Sequence, residues 1–250
     1  MTFLKHFNRV ALGLMLFALS FASYAIHSDI EIELDGGKFE VETADGAPPA
    51  EVTLGGLKLF ETEFGELGNL FATDEPGWEA EDGTGNAGEI VGVEIMANLR
   101  RWDGSMFATT GFDEFIRISG ASPDIDVSSS SGLGAFSFID ALDGDGGLHT
   151  HLDFEIMTTG IGNPTDGAYL LEVAVFGLLA DQTTPVYTPS DNFLLAFHLD
   201  AGGTFGEEAF ESAVESLLPP APVPVPGAVY LLGSALLFLA RGVRGTRAAV

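Results

Sequence analysis

The sequence predicts an all-β fold: an antiparallel β-sandwich or jelly roll with one short helix after its last strand. Apolar and polar residues alternate within short segments between residues 26 and 204, as in strands with one buried face. Glycine-rich or Asp- and Pro-containing turns separate these segments at a spacing typical of antiparallel sandwiches. A parallel α/β sheet needs long helical crossovers, and no such helical pattern occurs in this region.

The first predicted hairpin shows the pattern most clearly. Ile30 and Ile32 alternate with acidic residues, Gly36-Gly37 supplies the positive φ angles of a tight turn, and Phe39 resumes the alternation. Further strands are predicted at 51–60, 89–98, 114–119, 134–140, 148–157, 168–178 and 193–199.

One amphipathic helix is predicted at 206–218. Phe210, Val214 and Leu217 fall on one face at helical spacing. Glutamates in the first turn favour the helix dipole, and Pro219-Pro220 ends the helix. We expect this helix to cap the sandwich, because its polar face is acidic whereas that of a membrane-surface helix is basic.

The first 25 residues have the composition of a signal peptide. Lys5 and Arg9 form a basic start, residues 10–21 are almost wholly apolar, and Ala22-Ser23-Tyr24-Ala25 places small residues where signal peptidase reads them. A retained membrane anchor is the alternative, but this apolar run is short against the about 20 residues that a span needs. We expect export and removal of residues 1–25.

The C-terminal segment has a proline-rich spacer at 219–226, an apolar stretch at 227–240 and a basic end at 241–250. As a helix the apolar stretch rises about 21 Å, less than the roughly 30 Å of a bilayer core. The apolar stretch followed by a basic end nevertheless predicts one short transmembrane helix in the inner membrane, with the basic end in the cytoplasm. The residues that stop it there are Arg241, Arg244 and Arg247.

This C-terminal arrangement resembles the PEP-CTERM sorting signal of Gram-negative bacteria. The family motif is Pro-Glu-Pro, and here Pro224, Val225 and Pro226 stand in its place. The resemblance implies processing by the membrane protease-transpeptidase exosortase and a final location on the cell surface or in the extracellular matrix. It extends over residues 222–247 and implies nothing about the activity of the preceding domain.

The exported segment, residues 26–218, is strongly acidic. It holds all 37 acidic residues and five of the basic ones, a formal charge of −32. Such a domain repels nucleic acid and anionic lipid, so neither is an expected partner, whereas divalent cations, basic proteins and neutral polysaccharide remain. The sequence has no cysteine, which excludes thiol catalysis and cysteine-based zinc sites.

Residues 148–156 contain the densest set of metal-ligating side chains. On one strand His149, His151, Asp153 and Glu155 project from the same face, because residues two apart share a face. Two neutral imidazoles beside a carboxylate suit Zn²⁺ or another borderline divalent metal. The alternative is an ordinary half-buried strand whose polar face is solvated.

The segment His149-Thr150-His151, followed by Gly167-Ala168-Tyr169, is similar to the His-x-His and Gly-x-Tyr strand pair of anchored bacterial surface domains, some of which carry PEP-CTERM tails. The resemblance implies a metal-binding surface domain and implies no enzyme. In that setting His27 is a third candidate ligand, and His198 is either a ligand or a packed strand residue.

The glycine-rich loop at 140–147 is a second candidate metal site. Asp140, Asp143 and Asp145 can offer hard oxygen ligands to Ca²⁺. The acidic residue at the twelfth position of an EF-hand loop is missing, and a hairpin turn explains the same residues. We favour the turn.

The sequence has no Gly-x-Ser-x-Gly, His-Glu-x-x-His or phosphate-loop motif. We therefore predict a non-catalytic surface or matrix protein, with the histidine-containing strand as a candidate site for a divalent metal and the solvated strand face as its alternative. One alternative is a carbohydrate-binding module for extracellular polysaccharide, which needs a planar row of exposed aromatics such as Trp78, Trp102 and Tyr169. Another is a secreted hydrolase, which needs a cleft with two suitably spaced carboxylates.

Overall fold

The structure is a computed structural model that describes residues 29–220 apart from residues 45, 46, 66 and 121. The predicted signal peptide, His27, the sorting motif at 224–226, the transmembrane helix and the basic end lie outside the described residues. The described part of the chain contains no helix that is long and apolar enough to cross a membrane.

Strands dominate the described residues and one short helix follows them, which confirms the predicted all-β class. The strands are β1 (Ile30–Asp35), β2 (Lys38–Thr43), β3 (Glu51–Val52), β4 (Lys58–Glu63), β5 (Ala72–Thr73), β6 (Trp78–Ala80), β7 (Ile90–Trp102), β8 (Phe107–Ala108), β9 (Glu114–Ser119), β10 (Ile125–Ser128), β11 (Phe136–Ala141), β12 (Leu148–Thr150), β13 (Asp153–Thr158), β14 (Gly167–Leu178) and β15 (Phe193–Leu199), and the helix is α1 (Glu207–Glu215).

The strands form three sheets. The largest has seven strands in the order β11-β7-β14-β15-β4-β3, with β8 paired to β7, and the two smaller sheets have the orders β12-β6-β1-β2 and β10-β9-β13-β5. Most neighbours are antiparallel, but β1 lies parallel to β6 and β15 lies parallel to β4. The predicted antiparallel fold is therefore corrected to a mixed one. The strands of both parallel pairs are far apart in the chain, and no tight turn fixes their relative direction.

One apolar core joins all three sheets. Val93 and Val173 of the seven-stranded sheet share this core with Ile32 of one smaller sheet and with Ile116 and Phe154 of the other. The inner face of the large sheet is thus covered by both smaller sheets, and its outer face is left for the helix.

The helix α1 covers part of the outer face of the seven-stranded sheet. Phe210 and Val214 are buried on this face and pack with Leu170 of β14 and Leu194 of β15. Leu217 also packs there, from the turn that follows the helix. The prediction of a helix packed on the sheet is confirmed.

The predicted strand at 148–157 is in fact two strands that belong to different sheets. Thr150 of β12 pairs with Trp78 of β6, whereas Asp153 of β13 pairs with Ser119 of β9. The chain crosses from one smaller sheet to the other at His151-Leu152. The apolar side of the predicted alternation is buried as expected, with Leu152 fully enclosed.

Candidate metal site

The site lies at one end of the sheet in which β6 is flanked by β1 and β12. Trp78 of β6 pairs with Ile30 of β1 on one side and with Thr150 of β12 on the other. One residue further along this register, Asp29 and His151 flank the residue that precedes Trp78. Two potential ligands that are far apart in the sequence therefore become neighbours.

The residue between these two ligands is Gly77, and it has room for no side chain. A Cβ atom there would lie 2.4 Å from Asp29 Oδ1 and 2.7 Å from His151 Cε1, well inside van der Waals contact at about 3.5–4.0 Å. The Gly77 N–H donates to the Glu75 carboxylate at 3.1 Å, and its carbonyl accepts from Ile30 N–H at 2.8 Å. These bonds fix the backbone on which the ligands converge.

Asp29, His149 and His151 bring one ligand atom each to within 4.8 Å of one another. His149 Nε2 lies 3.3 Å from Asp29 Oδ2, and the two imidazole rings are stacked with centroids 5.6 Å apart. Two ligands of one tetrahedral zinc ion are separated by about 3.4 Å, given metal–ligand bonds of about 2.0–2.1 Å. The spacing and the nitrogen-oxygen donor set therefore suit Zn²⁺.

The hydrogen bonding of His151 selects which of its nitrogens can bind a metal. Its Nδ1 lies 3.0 Å from the backbone carbonyl of Asp74. Because a carbonyl oxygen only accepts, Nδ1 carries the proton and Nε2 keeps the free lone pair. Metal-binding histidines usually donate their other ring N–H to such an acceptor, which fixes the orientation of the ring.

Asp74 and Glu75 form a second potential group with His151. Glu75 Oε1 is 3.9 Å from His151 Nδ1, but that nitrogen already donates to a carbonyl. The group with Asp29 is therefore the better metal site, and Glu75 adds negative charge beside it.

The structure brings His149 and His151 together but does not bring Asp153 to them. Asp153 begins β13, in the neighbouring sheet. Asp29 takes its place because β1 and β12 both pair with β6. No spacing in the sequence connects Asp29 with the histidines. His198 is packed in β15 with 3% of its surface exposed.

The glycine-rich loop at 140–147 is organised as a turn. Asp143 Oδ1 accepts from Asp145 N–H at 2.9 Å and from Gly147 N–H at 3.1 Å, and these bonds lower the pKa of Asp143. Asp140 Oδ1 accepts from Ala141 N–H at 2.7 Å. These carboxylate oxygens thus accept hydrogen bonds from backbone N–H groups, which supports the interpretation as a turn over that as a Ca²⁺ site.

The aromatics suggested for polysaccharide binding do not form an exposed row. Trp78 and Tyr169 are fully buried in the core, and the Tyr169 hydroxyl donates to the Thr165 carbonyl at 2.5 Å. Trp102 is partly buried against Phe107, with ring centroids 5.5 Å apart.

A group of phenylalanines lies near the β11 edge of the seven-stranded sheet. Phe136 is 42% exposed, and its ring is inclined by 42° to Phe138 and by 89° to Phe176. Rings at such angles do not offer the flat platform on which a sugar stacks.

A cleft of about 330 Å³ beside β1 is lined by several carboxylates, including Glu33, Glu81 and Asp82. A glycosidase acid needs a carboxyl group with a raised pKa. Burial, with the charge of nearby Glu211, raises the pKa of Glu61 to about 7, but Glu61 lies on β4 and does not line the cleft. The pKa of Glu211 is also raised, and neither Glu61 nor Glu211 lines the cleft.

Comparisons with known proteins leave the family open. No protein-family model matches the chain, and no curated protein matches it. Among solved structures, the CooA pilin subunit from enterotoxigenic Escherichia coli is similar over 61% of this chain and 99% of that chain, with 14% sequence identity and a TM-score of 0.26. A similarity at that TM-score supports no conclusion about fold or function.

Proposed function

We propose that this chain is an exported, non-catalytic cell-surface or extracellular-matrix protein whose β-sandwich domain binds one divalent metal ion, Zn²⁺, through Asp29, His149 and His151. The observation that carries the metal assignment is the convergence of these three side chains across Gly77. A bound ion links the start of β1 to β12, so its binding free energy adds to the stability of the domain.

Export is supported by the two ends of the sequence. The basic start, apolar run and small residues at 22–25 suit signal peptidase, and the residues Pro224, Val225 and Pro226 precede a short apolar stretch and three arginines. Signal peptidase and exosortase are the proposed processing partners. The precursor is held in the inner membrane of a Gram-negative bacterium by residues 227–240, and the processed product resides outside.

The metal assignment is tested by the zinc content of the purified full chain after desalting. The double variant His149→Ala/His151→Ala should hold one zinc ion per chain less than the parent. Asp29→Asn should weaken binding by at least about 10- to 100-fold, the range found for residues that only orient a ligand, because it removes the charged ligand of the site. The matched control is Asp153→Asn/Glu155→Gln, which changes the next two acidic residues along and should leave the zinc content unchanged. Equal zinc content in the parent and in His149→Ala/His151→Ala would refute the site.

The sorting assignment is tested in the native host. Deleting exosortase should leave the tail at 227–250 attached to the protein in the inner membrane, whereas the parent strain should release a product without it. If the tail is retained equally in both strains, residues 227–240 are a plain membrane anchor. Intact mass of the recovered protein distinguishes the two results.

A further inference from the structure

A second histidine, at the junction of α1 with the seven-stranded sheet, has surroundings that the first site does not explain. His198 of β15 is 3% exposed, and its ring stacks on Phe210 with centroids 4.8 Å apart and an interplanar angle of 18°. Its Nε2 lies 2.7 Å from the backbone carbonyl of Phe205. Because a carbonyl only accepts, Nε2 carries a hydrogen, and in the neutral tautomer that this bond selects the lone pair is on Nδ1.

Nδ1 of His198 is buried without a hydrogen-bond partner among the described residues. Two carboxylates face it: Glu207 Oε2 at 3.5 Å, in the first turn of α1, and Glu63 Oε1 at 3.8 Å, at the end of β4. Glu61 and Glu211 add negative charge close to Glu207. A lone pair directed at two carboxylates is unfavourable unless positive charge lies between them.

We propose that a divalent cation of the zinc class binds between His198 Nδ1, Glu63 and Glu207 and clamps α1 to the sheet. The two nitrogen–oxygen distances exceed those of hydrogen bonds, about 2.7–3.2 Å, and lie near the about 3.4 Å between two ligands of one tetrahedral ion. The carboxylate oxygens of Glu63 and Glu207 are farther from one another than the ligand atoms of the Asp29 group, which all lie within 4.8 Å, so a carboxylate must turn toward the ion to complete the site. A histidine with one ring nitrogen on a backbone carbonyl and the other free is oriented for metal binding. Mixed imidazole and carboxylate donors favour Zn²⁺ over Ca²⁺ or Mg²⁺.

The site is reachable and its ligands come from three elements. The side chains of Glu63 and Glu207 are each 49% exposed, so an ion enters from solvent and the carboxylates are free to turn toward it. The ligands belong to β4, β15 and α1, and α1 is the last described element before the proline-rich spacer. The cation would therefore strengthen the attachment of α1 to the sheet.

The test uses the full chain with the first site removed by His149→Ala/His151→Ala, stripped of metal and titrated with Zn²⁺ in a calorimeter. This background should bind one zinc ion per chain, and zinc should slow amide exchange in residues 210–215. Adding Glu63→Gln/Glu207→Gln should weaken binding by at least about 10- to 100-fold. These half-exposed positions tolerate glutamine without disturbing the core.

The matched control, Glu208→Gln/Glu215→Gln, removes the same charge from exposed positions of the same helix and should leave the zinc affinity unchanged. An equal loss in this control would show diffuse attraction to the acidic surface and overturn the proposal. Absence of zinc binding in the His149→Ala/His151→Ala background would also overturn it. A third result would overturn it: without zinc, acidification stabilises the protein, and Glu63→Gln/Glu207→Gln abolishes that gain. A proton would then occupy the site. A failure of the first site appears separately, as equal zinc content in the parent and in His149→Ala/His151→Ala.

Discussion

Gly77 lies so close to His151 that a methyl group in place of its hydrogen would sit 2.7 Å from the imidazole Cε1. The approach exists because β6 runs between β1 and β12 and contributes only backbone at this point. The geometry of the candidate metal site therefore depends on a residue that offers no ligand.

Gly77→Ala should damage the metal site and the fold together. The added Cβ displaces Asp29 and His151, and we expect a loss of about 1–3 kcal/mol in the free energy of unfolding, as for other overpacked sites. Zinc affinity should fall at least about tenfold. Gly144→Ala is the control, because a Cβ there meets nothing within 4 Å. Unchanged zinc affinity in Gly77→Ala would show that the close approach does not matter for binding.

Glu114 should give the domain an acid-sensitive component of stability. Burial alone raises the pKa of this carboxyl group, but hydrogen bonds from Thr165 and the charge of Arg101 outweigh it and hold the pKa below its ordinary value. A lowered pKa stabilises the fold above the ordinary carboxyl range, and this contribution disappears as the pH falls through the folded-state value.

The corresponding experiment is urea unfolding of Glu114→Gln and the parent at pH 7 and at pH 3. The variant should lose about 1–3 kcal/mol at pH 7 and much less at pH 3. Asp126→Asn removes the same charge from the exposed pair with Arg117 and should cost less than about 1 kcal/mol. A Glu114→Gln deficit that is the same at both pH values would contradict the linkage.

Phe210 should account for most of the attachment of α1. It is 2% exposed and packs on both the sheet and the His198 ring. Phe210→Ala should cost about 3–5 kcal/mol, and amide exchange in α1 should accelerate more than in β7 or β14. Ser212→Ala, at an exposed position of the same helix, should change stability by less than about 0.5 kcal/mol. A loss shared equally by helix and sheet amides would show that α1 does not unfold separately.

The exported product should begin near Ile26. The signal-peptide pattern places removal after Ala25, so N-terminal sequencing of protein recovered from outside the cell should not find Lys5 or Arg9. Finding either residue there would refute the removal of residues 1–25.

The fold was predictable where a strand either alternates regularly, as β9 does, or is apolar almost throughout, as β15 is. The segments at 114–119 and 193–199 coincide with β9 and β15, because each has a sustained apolar pattern bounded by turn residues. The short strands β5, β6, β8 and β10 have two to four residues each. Such short segments have no detectable period, and their pairing depends on tertiary contacts.

The candidate metal site was predictable only in part, because it too depends on strand pairing through tertiary contacts. The two-residue spacing of His149 and His151 is local and visible in the sequence, whereas Asp29 joins them through the order of strands in a sheet. The switch of sheets after Thr150 also carries Asp153 away. Neither the strand order nor the switch leaves a local signal.

The parallel pairing of β4 with β15 imposes an order of events on folding. Among the described residues β3 pairs with β4 alone, and β4 joins the seven-stranded sheet through β15, whose residues end at Leu199. The edge formed by β4 and β3 therefore cannot join the sheet until nearly the whole domain has been synthesised. Contacts between residues so far apart in the chain slow folding. While the edge waits, the charge of −32 on residues 26–218 keeps unfinished chains apart by mutual repulsion.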